Sequence, residues 1–123
     1  TTSLEKAFKG CTSLDSNGGW ESWDTSAITN MQAAFNDCEN FNGDISSWNT
    51  SSVTTMRDLF KDSPSFDQSL GNWDLTALTD LSDIFNGASG ISVDNFDATI
   101  IGWGTDSSGT VGDGVDDIPS DIA

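Results

Sequence analysis

The chain has 123 residues, with 20 acidic side chains against four basic ones, a net charge of −16 and no histidine. That balance argues against nucleic acid, whose phosphates need Lys and Arg, and against anionic membrane surfaces. The missing imidazole removes Ser-His-Asp and Cys-His nucleophilic sites and the usual zinc sites.

Reading from the start, Thr2, Leu4, Ala7, Phe8 and Cys11 form a pattern that returns 27 residues later as Thr29, Met31, Ala34, Phe35 and Cys38. From there the spacing settles at 25: Phe35, Phe60 and Phe85 form one column, and Trp23, Trp48 and Trp73 another. Ile28, Val53 and Leu78 form a third. The two extra residues of the first interval fall in DSNGGWES, a Gly-containing loop where insertion is cheap. Four copies result, at about 1–27, 28–52, 53–77 and 78–103. Because the first residues already lie inside a copy, the chain reads as a piece of something longer.

Within a copy, Met31, Ala34, Phe35 and Cys38 are spaced i, i+3, i+4, i+7, which predicts a helix of about two to three turns. Thr2, Thr29, Thr54 and Thr79 stand two residues before each stripe, where an N-cap hydroxyl belongs, and Glu5 and Gln32 complete capping boxes. The stretches GDISSWNT and QSLGNWDL are short, Trp-containing and bounded by turn residues, and predict a brief strand. One copy cannot bury its stripe alone, so stacking is required. The predicted fold is an α/β solenoid: a short leucine-rich-repeat-like right-handed superhelix of three to four coils. Each coil has about 25 residues, one short helix and one short parallel strand, with the hand set by the crossover rule.

Several columns carry two readings. The Trp column is a core whose indole N–H groups find neighbouring carbonyls, or else a carbohydrate-stacking platform. Trp20, beside the irregular loop, is the candidate for an exposed ring. Asp24, Asn49 and Asp74 follow the Trp residues and fit turn-stabilising side chains, with a shared calcium as the alternative. Cys11 and Cys38 share one column of adjacent coils, about 5 Å apart in a parallel stack, so a disulfide is geometrically open. Ser63 and Ala88 follow in that column, which equally suits two small buried side chains. Thr25 with Thr50, Ser26 with Ser51 and Thr76, and Thr29 with Thr54 and Thr79 could form flat hydroxyl ladders that bind ice.

Residues 104–123 lose the columns and read as an acidic Gly/Asp-rich cap or linker. There Asp106, Asp113, Asp116 and Asp117 are faintly like a calcium loop without matching a complete one. The basic residues Lys6, Lys9, Arg57 and Lys61 all fall in or beside the predicted helices. The strand-and-turn side is therefore negative and suits a neutral, cationic or calcium-bridged ligand.

The segment AFKGCTSLDS resembles the AF-x-x-C-x-x-L core of BspA-type leucine-rich repeats. ITNMQAAFNDCENFNGDISSWNTSSVTTMRDLF resembles the related bacterial surface-protein repeat DUF285, and DNFDATIIGW, residues 94–103, resembles the stretch that often closes such arrays. The resemblance implies a leucine-rich-repeat solenoid in a secreted or cell-surface bacterial protein, sometimes linked to adhesion. The expected function is a non-enzymatic adhesion or ligand-binding module contacting a protein or glycan. Its predicted contacts are Trp20, Asp44, Ser46, Ser47 and Asn49, with Ser69, Gly71, Asn72 and Asp74 beside them. A structural spacer between neighbouring domains of the same chain, and an ice-binding module, are the alternatives. No nucleic acid and no membrane insertion are expected; no cofactor is expected, with calcium left open.

Overall fold

The computed structural model describes residues 2–104. Four copies lie side by side, joined by parallel bridges Ser3 to Asn30, Asn30 to Thr55 and Thr55 to Asp80. Each bridge spans one repeat interval, so the sequence period is also the spatial one.

The main chain explains how. Leu4, Met31 and Met56 donate their N–H groups to the carbonyls of Asn30, Thr55 and Asp80, at 2.9, 3.0 and 2.9 Å. Two residues on, Lys6, Ala33 and Asp58 donate to Gln32, Arg57 and Ser82 at 2.9, 2.8 and 3.0 Å. Phe8, Phe35 and Phe60, and then Gly10, Asp37 and Asp62, repeat the pattern. The residues between them close tight turns on their own copy, as Ala34 does to Met31 and Asn36 to Ala33. Every second N–H therefore points along the stack and the rest point back.

This pattern corrects two expectations about local structure. The stripes are not helical: among the described residues the helices are a 3-10 turn at Trp20–Ser22 and α1 at Val93–Gly104. A backbone that alternates between lateral bonds and tight turns needs left-handed residues, and these break a helix. They occur at Lys6, Ala33, Asp58 and Asp83, and four positions on at Gly10, Asp37, Asp62 and Gly87. The strands are single bridges, and they lie at the Asn30 column instead of at GDISSWNT, which holds a turn closed by Trp48 N–H on Ile45 O. The capping residues shift by one as well. Ser3, Asn30, Thr55 and Asp80 accept the N–H of Glu5, Gln32, Arg57 and Ser82, at 3.1, 2.9, 3.3 and 2.9 Å. The Thr29, Thr54 and Thr79 hydroxyls instead donate to the preceding copy's carbonyl, at 3.3, 3.0 and 3.0 Å.

All four side chains of the second stripe, Met31, Ala34, Phe35 and Cys38, are buried. The rings run as a column along the stack: Phe8 on Phe35 at 5.4 Å, Phe35 on Phe60 at 5.8 Å, Phe60 on Phe85 at 5.9 Å, all near parallel. Parallel-offset pairs of this kind add about 0.5–1.5 kcal/mol each beyond area burial.

Helix α1 stands where the second half of the fourth copy would lie. Ser92 starts it by accepting the Asn95 N–H on its hydroxyl at 3.2 Å. Leu70 N–H donates to Thr99 Oγ1 at 2.9 Å, and Trp103 Nε1 donates to Leu70 O at 2.8 Å. The helix packs on Gly71 so closely that a Cβ there would lie 2.6 Å from Ala98 O.

Candidate functional site

The turns that carry most of the predicted contact residues form a row along the stack. Asp24 Oδ1 accepts Ser26 N–H at 3.1 Å and Ser26 Oγ at 2.6 Å. Asp44 does the same with Ser46, at 3.1 and 2.6 Å. Asn49 does so with Ser51, at 3.0 and 2.6 Å, and Asp74 with Thr76, at 2.9 and 2.7 Å. A short side chain two residues before its donor is the chemistry of these turns. The bonds hold the Asp24 carboxyl below the usual aspartate range through Ser26, and that of Asp44 through Ser46. One side-chain oxygen of each residue is thus bonded within its own turn.

Ser47, Asn49, Asn72 and Asp74 are exposed, and Ser46 and Ser69 half-buried. Gly71 is taken up by α1. A cleft of about 260 Å³ lies where this turn meets the helix, lined by Gly71, Asn72, Trp73, Asp74, Leu75, Thr76, Gly102 and Trp103. The structure brings Gly71, Asn72 and Asp74 together there, while Asp44, Ser46, Ser47 and Asn49 sit on other turns and do not line it.

Trp20 is corrected from exposed to buried. Its ring is 3% exposed and lies edge-on to Phe8, Phe35 and Phe41, at 5.5, 5.8 and 5.2 Å. Gly18 and Gly43 make room for it, since a Cβ at either would fall within 2.6 Å of the indole. Its Nε1 has no hydrogen-bond partner among the described residues. The exposed ring is Trp23, 37% open, which stacks on Trp48 at 5.6 Å. Sequence reasoning gave these two the opposite roles because it weighed the irregular loop beside Trp20; the structure keeps Trp20 in the Ile45 and Leu70 column, an inward one, while Trp23 belongs to the first of the described copies.

Cys11 and Cys38 are free thiols, so the bridge is not formed. Cys38 Sγ donates to Phe8 O at 3.0 Å, and Ser63 Oγ, one copy on, donates to Phe35 O. Two members of this column of small side chains thus reach the preceding copy's carbonyl. Burial raises the Cys38 thiol to about 11.

A second clamp was missed. Asn42 Oδ1 accepts the Asp67 N–H at 2.8 Å, and Asp67 Oδ1 accepts the Ser92 N–H at 2.7 Å and Asn95 Nδ2 at 2.9 Å. The signal was a polar residue repeating right after Phe41 and Phe66. A wider groove of about 610 Å³ is lined by Thr12, Asp37, Glu39, Asn40, Asp62 and Pro64. Among the described residues no group of three or more His, Cys, Asp or Glu is placed to hold a metal ion. The calcium candidates Asp106, Asp113, Asp116 and Asp117, and the tail they belong to, lie outside the described residues. No helix among those residues is long and apolar enough to cross a membrane.

The arrangement is that of a repeat protein whose copies bond to one another through main chain and aromatic rings. The chain belongs to the family described as "Mycoplasma protein of unknown function, DUF285", whose model matches residues 2–113. No curated protein and no solved structure matches it.

Proposed function

We propose that this chain is a short right-handed leucine-rich-repeat-like solenoid, of the BspA-like kind. In this reading it serves as a non-enzymatic ligand-binding module of a secreted or cell-surface bacterial protein, contacting a protein or glycan. The observation that carries the reading is the row of pre-set turns at Asp24, Asn49 and Asp74, with a second such turn at Asp44. The row places exposed polar groups at the 25-residue repeat spacing on a rigid support, and little side-chain entropy is lost when a partner docks on such groups. Exposed, partly open Trp23 extends that surface with one aromatic face.

A glycan and protein array probed with and without calcium tests this. Binding that falls on Asn49→Ala and Asn72→Ala supports it; silence in both conditions favours the spacer role. Calcium at the four tail aspartates is tested separately by melting with and without chelator, since an ion held by the folded state alone raises the midpoint.

A second reading has its own observation. Thr2, Thr29, Thr54 and Thr79 are exposed, and the last three each donate N–H and hydroxyl to the preceding member's carbonyl, which fixes them in one register. Such a ladder suits an ordered-water surface. Faceted ice crystals under the microscope would support it, and round crystals would dismiss it.

A further inference from the structure

Three asparagines stand directly before a glycine: Asn17, Asn42 and Asn86. At such a pair the side-chain amide can react with its own chain, because glycine leaves the next main-chain nitrogen unscreened. That nitrogen attacks Cγ of the asparagine. An N–Cγ bond forms, the Cγ–Nδ2 bond breaks, and ammonia leaves with the former amide proton, so a succinimide ring remains. Solvent water then opens the ring. Cleavage at Cγ gives aspartate; cleavage at the main-chain carbon gives isoaspartate, whose backbone runs through the side chain. The peptide plane and the side chain must turn toward each other for attack, so the bonds that hold these groups decide which pair reacts.

Two of the pairs are held by a neighbouring copy. Asn42 Oδ1 accepts the Asp67 N–H at 2.8 Å and Gln68 Nε2 at 3.1 Å, and its main-chain oxygen accepts Gln68 Nε2 at 3.1 Å. Asn86 donates its N–H to Asp83 O at 3.2 Å and accepts the Asp62 N–H on its carbonyl at 2.8 Å. Gly87 is packed so tightly that a Cβ there would lie 3.1 Å from both N and Cα of Asp62.

Asn17 lies in a longer loop. Five residues separate Leu14 from Trp20, where three separate Phe41 from Ile45 and Phe66 from Leu70. Among the described residues, no hydrogen bond joins Asp15, Ser16, Asn17 or Gly18 to the second copy. The loop bonds to itself instead: Asp15 Oδ1 accepts the Asn17 N–H at 2.9 Å, and Asp15 Oδ2 accepts Asn17 Nδ2 at 3.3 Å. This contact holds the nitrogen that would leave. The Asn17 carbonyl, its Oδ1 and the Gly18 N–H take no partner among the described residues.

We propose that Asn17 is a self-modification site, converting to isoaspartate and aspartate by attack of the Gly18 nitrogen, and that the isoaspartate loosens the cover over Trp20. Gly18 is seated on the indole, where a Cβ would lie 2.5 Å from Cε2, and Trp20 is only 3% exposed. An extra backbone atom directly before Gly18 shifts that seat.

The full chain is incubated in mildly alkaline buffer, native and in strong urea, and each asparagine is followed by peptide mapping with mass spectrometry. Urea removes the fold and gives each pair its own reference rate. Native Asn17 should convert within about threefold of its rate in urea, whereas Asn42 and Asn86 should be slowed at least about tenfold, because hydrogen bonds to the fold must open first. An isoaspartate methyltransferase should label the Asn17 peptide. As label accumulates, quenching of the native tryptophan emission by acrylamide should increase, whereas Asn17→Asp, which adds the charge without the extra backbone atom, should match fresh protein. Native Asn17 slowed as much as Asn42, or Asn42 or Asn86 converting in the native protein as fast as Asn17, would overturn the site. Labelled protein that quenches like fresh protein would overturn the effect on Trp20.

Discussion

Trp48 donates its indole N–H to the main-chain oxygen of Trp20 at 2.7 Å, one copy back and inside the core. Trp73 repeats the bond to Ile45 at 3.0 Å, and Trp103 of α1 repeats it to Leu70 at 2.8 Å. One side chain thus fills the core, satisfies a buried carbonyl and ties adjacent copies. Trp48→Phe keeps most of the ring but strands the Trp20 carbonyl. It should cost about 1–3 kcal/mol in urea unfolding, the range for a buried group left unpaired. A loss under about 0.5 kcal/mol would mean that water reaches this carbonyl.

The left-handed positions can be separated from the packing around them. Gly10, at φ 74, would place a Cβ in open space, whereas a Cβ on Gly87, at φ 78, would lie 2.3 Å from Asp62 Oδ1 and 3.1 Å from its Cα. Gly10→Ala should therefore cost only the conformational strain, about 1 kcal/mol. Gly87→Ala adds overpacking against backbone and should cost about 2–4 kcal/mol. Equal midpoint shifts for the two would show that Asp62 moves aside freely.

The period, the columns and the buried rings were legible in the sequence, because burial recurs wherever copies meet. The backbone between them was not. Met31, Ala34, Phe35 and Cys38 carry helical spacing, yet alternating turns bury the same four side chains. Apolar spacing reports which residues face inward and is silent on how the chain gets there. A clue was present: the column of residues 10, 37, 62 and 87 reads Gly, Asp, Asp, Gly, all residue types that tolerate the left-handed region. In the candidate site, the turn residues were readable because Asp or Asn two before Ser or Thr is a local signal. The burial of Trp20 could have been read from its column, shared with Ile45 and Leu70, whereas the exposure of Trp23, unlike Trp48 and Trp73, goes with its place in the first described copy, which no local window contains.

Phe60 is fully buried between Phe35 and Phe85, with Phe66 stacked on it at 3.8 Å. Neighbours on all sides cannot collapse far into the space it leaves. Phe60→Ala should cost about 3–5 kcal/mol, and Phe8→Ala, at the open end, clearly less. Equal costs would imply that the first copy is covered in solution.

The two thiols should separate kinetically. Burial raises Cys38 to about 11, and its Sγ–H is held by Phe8 O. At pH 8 only about one molecule in a thousand carries that thiolate. Cys11 is half-buried at the open end. A thiol reagent at pH 8 should therefore modify one cysteine promptly and the second only after denaturant is added. Two equal rates would place Cys38 at the surface, and no reaction in the native or denatured state would mean that a disulfide had formed.

Acid should unfold the stack from its clamps. Hydrogen bonds from Ser92 and Asn95 lower Asp67, and those from Ser82, helped by the Arg57 charge, lower Asp80; Asp24 and Asp44 are lowered by Ser26 and Ser46. Each ordinarily titrates at 3.8. A carboxyl whose folded value is depressed contributes its stabilisation above the ordinary value and loses it as pH falls through the depressed one. The melting midpoint, measured at about 0.15 M salt to screen the net negative charge, should hold steady above about pH 5 and fall below about pH 4. Asp67→Asn should flatten part of that fall, because it removes a titrating group that joins α1 to the third copy. A midpoint that rises on acidification would show that general charge repulsion outweighs these four local sets of bonds.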